Sequence, residues 1–145
     1  MADYPIRKRL RLENFNYCED GYYFLTVCTN DRKNLLSEIV VEEDQAVVHL
    51  LPYGKAAESY LKTIPGIDRY VIMPNHVHMI IHKTNGKSIS SDVRSWKALV
   101  SKKIGDTIWQ DSFYDHIIRN RDDYLEKCRY IDENPARWKK DEYYA

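Results

Sequence analysis

The chain has 145 residues, the length of one domain with room for one hydrophobic core, so a second domain is not expected. Its 22 Lys and Arg balance 22 Asp and Glu, which excludes a global basic field, and any nucleic-acid binding must rest on local patches. Three cysteines, Cys18, Cys28 and Cys128, are odd in number and lack CxxC spacing, which argues against a disulfide framework and a cysteine zinc site and favours a reducing cytoplasm.

The N-terminal residues 1–13 include a basic arm, with Arg7, Lys8, Arg9 and Arg11 close together and no apolar segment of signal-peptide or membrane length. "YYFLTVCT", residues 22–29, is aromatic and β-branched between Gly21 and a polar cluster, and predicts the first core strand. "SEIVVEEDQAVVHLLP" predicts a β-hairpin about the acidic turn "EEDQ". In "YGKAAESYLKTI" the residues Ala56, Ala57, Tyr60, Leu61 and Ile64 recur with helical period and stop at Pro65-Gly66.

"IDRYVIM" and "HVHMIIHK" are strand-like runs split by Pro74-Asn75, a pattern for an antiparallel pair. "SISSDVRSWKALVSKKIG" predicts a helix capped by its serines and stopped by Gly105, with Arg94 and Lys97 on its polar face. "SFYDHIIR" predicts a last strand, and "RDDYLEKCRYIDEN" a last helix with an acidic first turn and an end forced by Pro135. Setting the hairpin aside, the order β, α, β, β, α, β with an added C-terminal helix is α+β and ferredoxin-like (split βαβ), an antiparallel sheet with helices on one face and the other face available.

Residues two apart on a strand share a face at roughly 6.6 Å, so His76 and His78 can converge on one ion. Val77, Met79 and Ile81 then face the core, which leaves the histidines on the open face. His82 lies roughly 13 Å past His78, too far for the same ion. On the last helix, Tyr124, Cys128 and Ile131 make the apolar stripe. Tyr130 projects roughly 120° away from it, with Asn134 about 40° from Tyr130 and Lys127 and Glu133 about 60° to either side. Pro135 disfavours helical geometry at Asn134 and places it in a fraying turn, so Glu133 rivals it as an oxygen donor.

Together "PNHVHMI" and "YIDENP" resemble the single-tyrosine HUH transposases, specifically the REP-associated tyrosine transposases; "GYYFLTVCT", "WQDSFYDHIIRN" and "YIDENPARW" extend the likeness over nearly the whole chain. The resemblance implies a ferredoxin-like sheet and a metal-dependent transposase that cleaves and rejoins single-stranded DNA through a 5′-phosphotyrosine. It implies Tyr130 as nucleophile, His76, His78 and Asn134 as ligands of Mg²⁺ or Mn²⁺, and hairpin or repeat DNA as partner, with a monomer and a homodimer both open.

An unperturbed phenol has a pKa near 10, so a base, the metal or a nearby lysine must help; Lys127 is the lysine at hand. Arg7, Lys8, Arg9, Arg11, Arg94, Lys97, Arg119 and Arg121 form the expected phosphate-binding rim. His116 matches a family histidine of open role. The alternative function is a catalytically silent hairpin-binding module on the same fold.

Overall fold

The computed structural model describes residues 21–83 and 88–145. The basic arm, with Arg7, Lys8, Arg9 and Arg11, lies outside the described residues. The elements are β1 (Gly21–Cys28), β2 (Ser37–Glu42), β3 (Gln45–Leu50), α1 (Pro52–Leu61), β4 (Ile67–Ile72), β5 (His76–Lys83), α2 (Ile89–Ile104), β6 (Tyr114–Ile117) and α3 (Arg121–Glu133). Short 3₁₀ turns follow β1 (Asn30–Arg32) and α3 (Pro135–Lys140). Among the described residues no helix is long and apolar enough to cross a membrane.

The four long-range strands form one antiparallel sheet in the order β4-β5-β1-β6, the ferredoxin-like arrangement that the element order predicts. Among the described residues β2 and β3 pair only with each other. Their turn places Glu43 and Asp44 at positive φ (50° and 65°), the backbone twist that a two-residue hairpin connection needs.

Alternation decides what each sheet face buries. From β1, Tyr23, Leu25 and Val27, and from β5, Val77, Met79 and Ile81, meet Ala57 and Leu61 of α1 and Val93, Trp96 and Val100 of α2 in the main core. Trp96 Nε1 donates to the Ala57 carbonyl at 3.0 Å, which satisfies that buried indole's donor. α2 starts at Ser88, whose hydroxyl accepts from Ser91 N at 3.0 Å, and ends at Gly105 with φ 84°, as its flanking residues predict.

The second sheet face is not open, and here the expectation is corrected. Phe24 and Ile80, one step out of phase with the main core, pack with Ile118 and with Cys128 and Ile131 of α3 in a second cluster, with Tyr124 at its margin. The apolar stripe of α3 is the predicted one, and burying it covers the face that carries the histidines. β6 is also shorter than predicted, four residues rather than eight.

Candidate active site

β5 turns His76 and His78 towards α3, and both are buried, at 0% and 2% exposure. Each ring is held through Nδ1. His76 Nδ1 lies 2.9 Å from Asn75 Oδ1, and the Asn75 amide is oriented by donating to the carbonyls of Tyr143 (2.6 Å) and Arg32 (3.3 Å). Since Asn75 Oδ1 only accepts, His76 Nδ1 donates, and the neutral ring presents its lone pair at Nε2. His78 Nδ1 hydrogen-bonds Thr26 Oγ1 at 2.9 Å, its register partner on β1.

The ring centroids of the two histidines are 4.6 Å apart. Both Nε2 atoms, and Oδ1 of Asn134, are buried without a hydrogen-bond partner among the described residues. Asn134 keeps helical backbone angles (φ −57°, ψ −44°) and is 2% exposed, rather than fraying ahead of Pro135. The proline is accommodated because it opens a new 3₁₀ turn, at a position where its missing N–H is no loss. Glu133, the rival oxygen donor, is exposed and faces Arg137, with Nε to Oε1 at 3.6 Å, so it does not join the histidines.

Among the described residues no group of three or more His, Cys, Asp and Glu side chains has metal-binding geometry. What comes together is two imidazole nitrogens and one amide oxygen. Three unpaired acceptors buried in one place are costly unless something electropositive meets them. That donor set fits a divalent cation of the Mg²⁺, Mn²⁺ or Zn²⁺ kind with coordination positions left over.

The charge state agrees. Burial pulls the His76 pKa down to about 4, outweighing the opposing effects of the nearby Asp141 carboxylate and the Asn134 amide. Burial, then the neighbouring His76, likewise depresses His78 well below its ordinary value. Both rings are therefore neutral near pH 7, the form that binds a metal.

A depressed folded-state pKa means that the folded protein binds fewer protons than the unfolded chain between about pH 4 and 6.5. Stability is then fully present above that window and is lost as pH falls through it. For His76 alone the loss between pH 7 and pH 5 is expected to be about 2 kcal/mol. Melting temperatures of the metal-free protein at the two pH values check this, and the fall should shrink in His76→Gln. An equal fall in both proteins would contradict a neutral buried His76.

Tyr130 projects from α3 at the edge of this cluster, 36% exposed, its ring 5.2 Å from that of His78 and 6.1 Å from that of Phe24. Its phenol pKa is raised, by burial first and then by the carboxylates of Asp141 and Glu142, with a hydrogen bond to Asn134 working the other way. A cavity of about 440 Å³ joins Tyr130 to His78, Thr26, Lys127 and Tyr143.

Lys127 lines that cavity, but its ammonium is held by Asp123 (2.8 Å) and Glu126 (3.3 Å). His116, whose role was open, belongs to the same network: its Nε2 is 2.8 Å from Asp123 Oδ2, which also accepts from Arg119 N at 3.1 Å. His82 is an aromatic packing residue, stacked on Tyr22 with centroids 4.2 Å apart.

The described part of the expected DNA rim is dispersed. Arg94 and Lys97 lie on α2, which packs on the sheet face opposite the histidines, and Lys97 donates to the carbonyls of Gln110 (2.7 Å) and Ser112 (3.1 Å). Arg119 and Arg121 sit at the start of α3, roughly 13 Å or more along the helix from Tyr130.

Sequence reasoning missed the segment after Pro135. It folds back so that the Tyr143 ring lies 4.5 Å from that of His76, and Asp141 Oδ2 lies 3.8 Å from His76 Nε2 while accepting from Asn134 Nδ2 at 3.1 Å. Asn75 was legible only as the neighbour of His76 in "PNHVH", and nothing in "KKDEYY" marks Asp141 for burial.

No protein-family model matches the chain. An uncharacterised protein of Haemophilus influenzae is 31% identical over an alignment of 173 positions that covers 96% of this chain and 93% of that protein. The REP-associated tyrosine transposase of Escherichia coli K12 is 30% identical over 123 positions, covering 83% of this chain and 70% of the relative. A solved structure described as a REP-associated tyrosine transposase bound to a REP hairpin superposes with a TM-score of 0.66 at 25% identity, over 87% of this chain and 73% of that one.

Proposed function

The chain belongs to the REP-associated tyrosine transposase family, and from that premise we propose that it is a metal-dependent transposase that cuts and rejoins single-stranded DNA through Tyr130. The observation that carries the reading is the meeting of three buried, unpartnered donor atoms, His76 Nε2, His78 Nε2 and Asn134 Oδ1, beside an accessible phenol. In this reading those three residues hold Mg²⁺ or Mn²⁺. The ion, when bound, supplies Lewis-acid polarisation of the scissile phosphate and offsets its developing charge.

The chain's own residues do the rest. The Tyr130 oxygen attacks phosphorus, the bond from phosphorus to the 3′ oxygen breaks, and the phenol's proton ends on that departing oxygen. The products are a free 3′-OH and a DNA 5′ end esterified to Tyr130. The ester conserves the phosphodiester, so an incoming 3′-OH reverses the step without ATP. Lys127 enters as a cation beside the cavity that offsets phosphate charge. The related solved structure is bound to a REP hairpin, and we extend that to this chain as a hairpin-bearing single-stranded substrate.

The test is covalent trapping. Labelled single-stranded oligonucleotides from the DNA flanking the gene, incubated with the protein and Mn²⁺, are expected to yield an adduct that survives a denaturing gel. Its DNA mass should sit on the peptide containing Tyr130, and EDTA should abolish it. DNA binding under native conditions without any adduct would instead establish a silent hairpin-binding module.

A further inference from the structure

A groove of about 760 Å³ opens beside Tyr130 and Asn134, between the β2–β3 hairpin and the 3₁₀ segment Pro135–Lys140. It lies next to the cavity that joins Tyr130 to His78 and shares Tyr130 with it. The 3₁₀ wall reaches the histidines through Trp138, whose ring centroid lies 6.1 Å from that of His76.

The hairpin wall is apolar. Ile39 and Val41, two apart on β2, point to one face, and Ala46 pairs with Val41 across the ladder. Val41 is 75% exposed, so a β-branched residue is turned to solvent within the groove rather than packed in either core. The opposite wall is cationic: Arg137, Lys139 and Lys140 are all exposed and fall within four residues, with the half-buried indole of Trp138 among them. The carboxylates Asp141 and Glu142 come only at the end of that wall.

An apolar surface facing a row of cations with an indole among them, and a nucleophile at one end, complements a strand that offers bases and phosphates to its two walls. The volume falls in the range of roughly 300–1,000 Å³ that accepts a small organic ligand, which is the scale of one or two nucleotides. We infer that this groove holds the unpaired DNA strand flanking the scissile phosphate, its bases against Val41, Ile39 and Trp138 and its phosphates on Arg137, Lys139 and Lys140. The extra hairpin is thereby a substrate-binding element. The inference rests on the transposase reading and deepens it by giving the strand a path.

Fluorescence anisotropy with a labelled single-stranded oligonucleotide from the flanking DNA tests it at one fixed salt concentration. The variants are Val41→Glu and Lys139→Glu/Lys140→Glu. A charge-matched control is Lys102→Glu/Lys103→Glu, at the exposed end of α2. Because these positions are exposed, none of the variants removes a core contact.

Both groove variants are expected to weaken binding by at least about tenfold, and the control by less than about threefold. Equal weakening in control and Lys139/Lys140 variants, or unaltered binding by Val41→Glu, would overturn the assignment. Wild-type protein that forms the Tyr130 adduct while the groove variants bind normally sinks the groove alone. Wild-type protein that neither binds nor forms an adduct sinks the groove and the transposase reading together.

Discussion

Tyr130→Phe is expected to lower adduct formation by at least about 10⁴-fold, the scale of loss when a covalent nucleophile is deleted. Fold and DNA binding should stay close to wild type. The substitution removes one oxygen and keeps the ring that packs against His78 and Phe24. With the side chain partly exposed, the stability change should stay within about 1 kcal/mol. Its hydroxyl is not in the second core, so Cys128 and Ile131 keep α3 on the sheet.

The same geometry explains why the phenol needs help. Burial and two carboxylates hold its pKa above the ordinary value, which disfavours the phenolate at neutral pH. The one cation on its cavity that sequence spacing offers, Lys127, is engaged with Asp123. Activity that rises with pH and with divalent cation, and vanishes in Tyr130→Phe, is the expected pattern. A persisting adduct in the variant would redirect attention to Tyr143, whose ring centroid lies 4.5 Å from that of His76 and whose pKa is pushed up to about 12, chiefly by burial.

How far the sequence alone reached can be traced residue by residue. The period of two in β5 is strict, so Val77, Met79 and Ile81 could be separated from His76 and His78 without coordinates, and the cores bear that division out. The helical stripe of α3 was equally legible, because Tyr124, Cys128 and Ile131 recur at helical spacing. What local pattern could not show was where that stripe docks. A sheet face written with histidines, Thr26 and Ile80 reads as half-polar and open, and only the tertiary arrangement reveals a second core beneath α3.

The C-terminal segment was illegible for a related reason. Lysines, acids and tyrosines after a proline look like a solvated tail, yet Asp141 and Tyr143 are fixed by Asn134 and Asn75, partners 7 and 68 residues away. The amide pair is what draws them in. Propensity at Asn134 also pointed the wrong way, since the bias against helix before proline is weaker than the tertiary contacts that hold this residue buried.

The far end of β5 carries the largest expected effect on stability. Lys83 is fully buried, with Nζ 2.6 Å from Oδ2 of Asp92, itself buried in the first turn of α2. The carboxylate gains from the helix N-terminus as well as from the ammonium, and the pair ties the histidine strand to the helix beneath it. In Lys83→Met the buried carboxylate loses its counter-charge, and the loss of stability should be about 3–5 kcal/mol.

Replacing both groups, Lys83→Met with Asp92→Leu, removes both desolvation costs along with their attraction. That double variant should lie within about 1–2 kcal/mol of wild type, or above it. Urea unfolding of the four proteins at one pH gives the coupling as a double-mutant cycle. Single effects that simply add in the double variant would show that the two charges do not stabilise one another. A coupling of the expected size, with adduct formation per folded molecule unchanged, would place the pair in the scaffold that holds β5 and outside the chemistry of Tyr130.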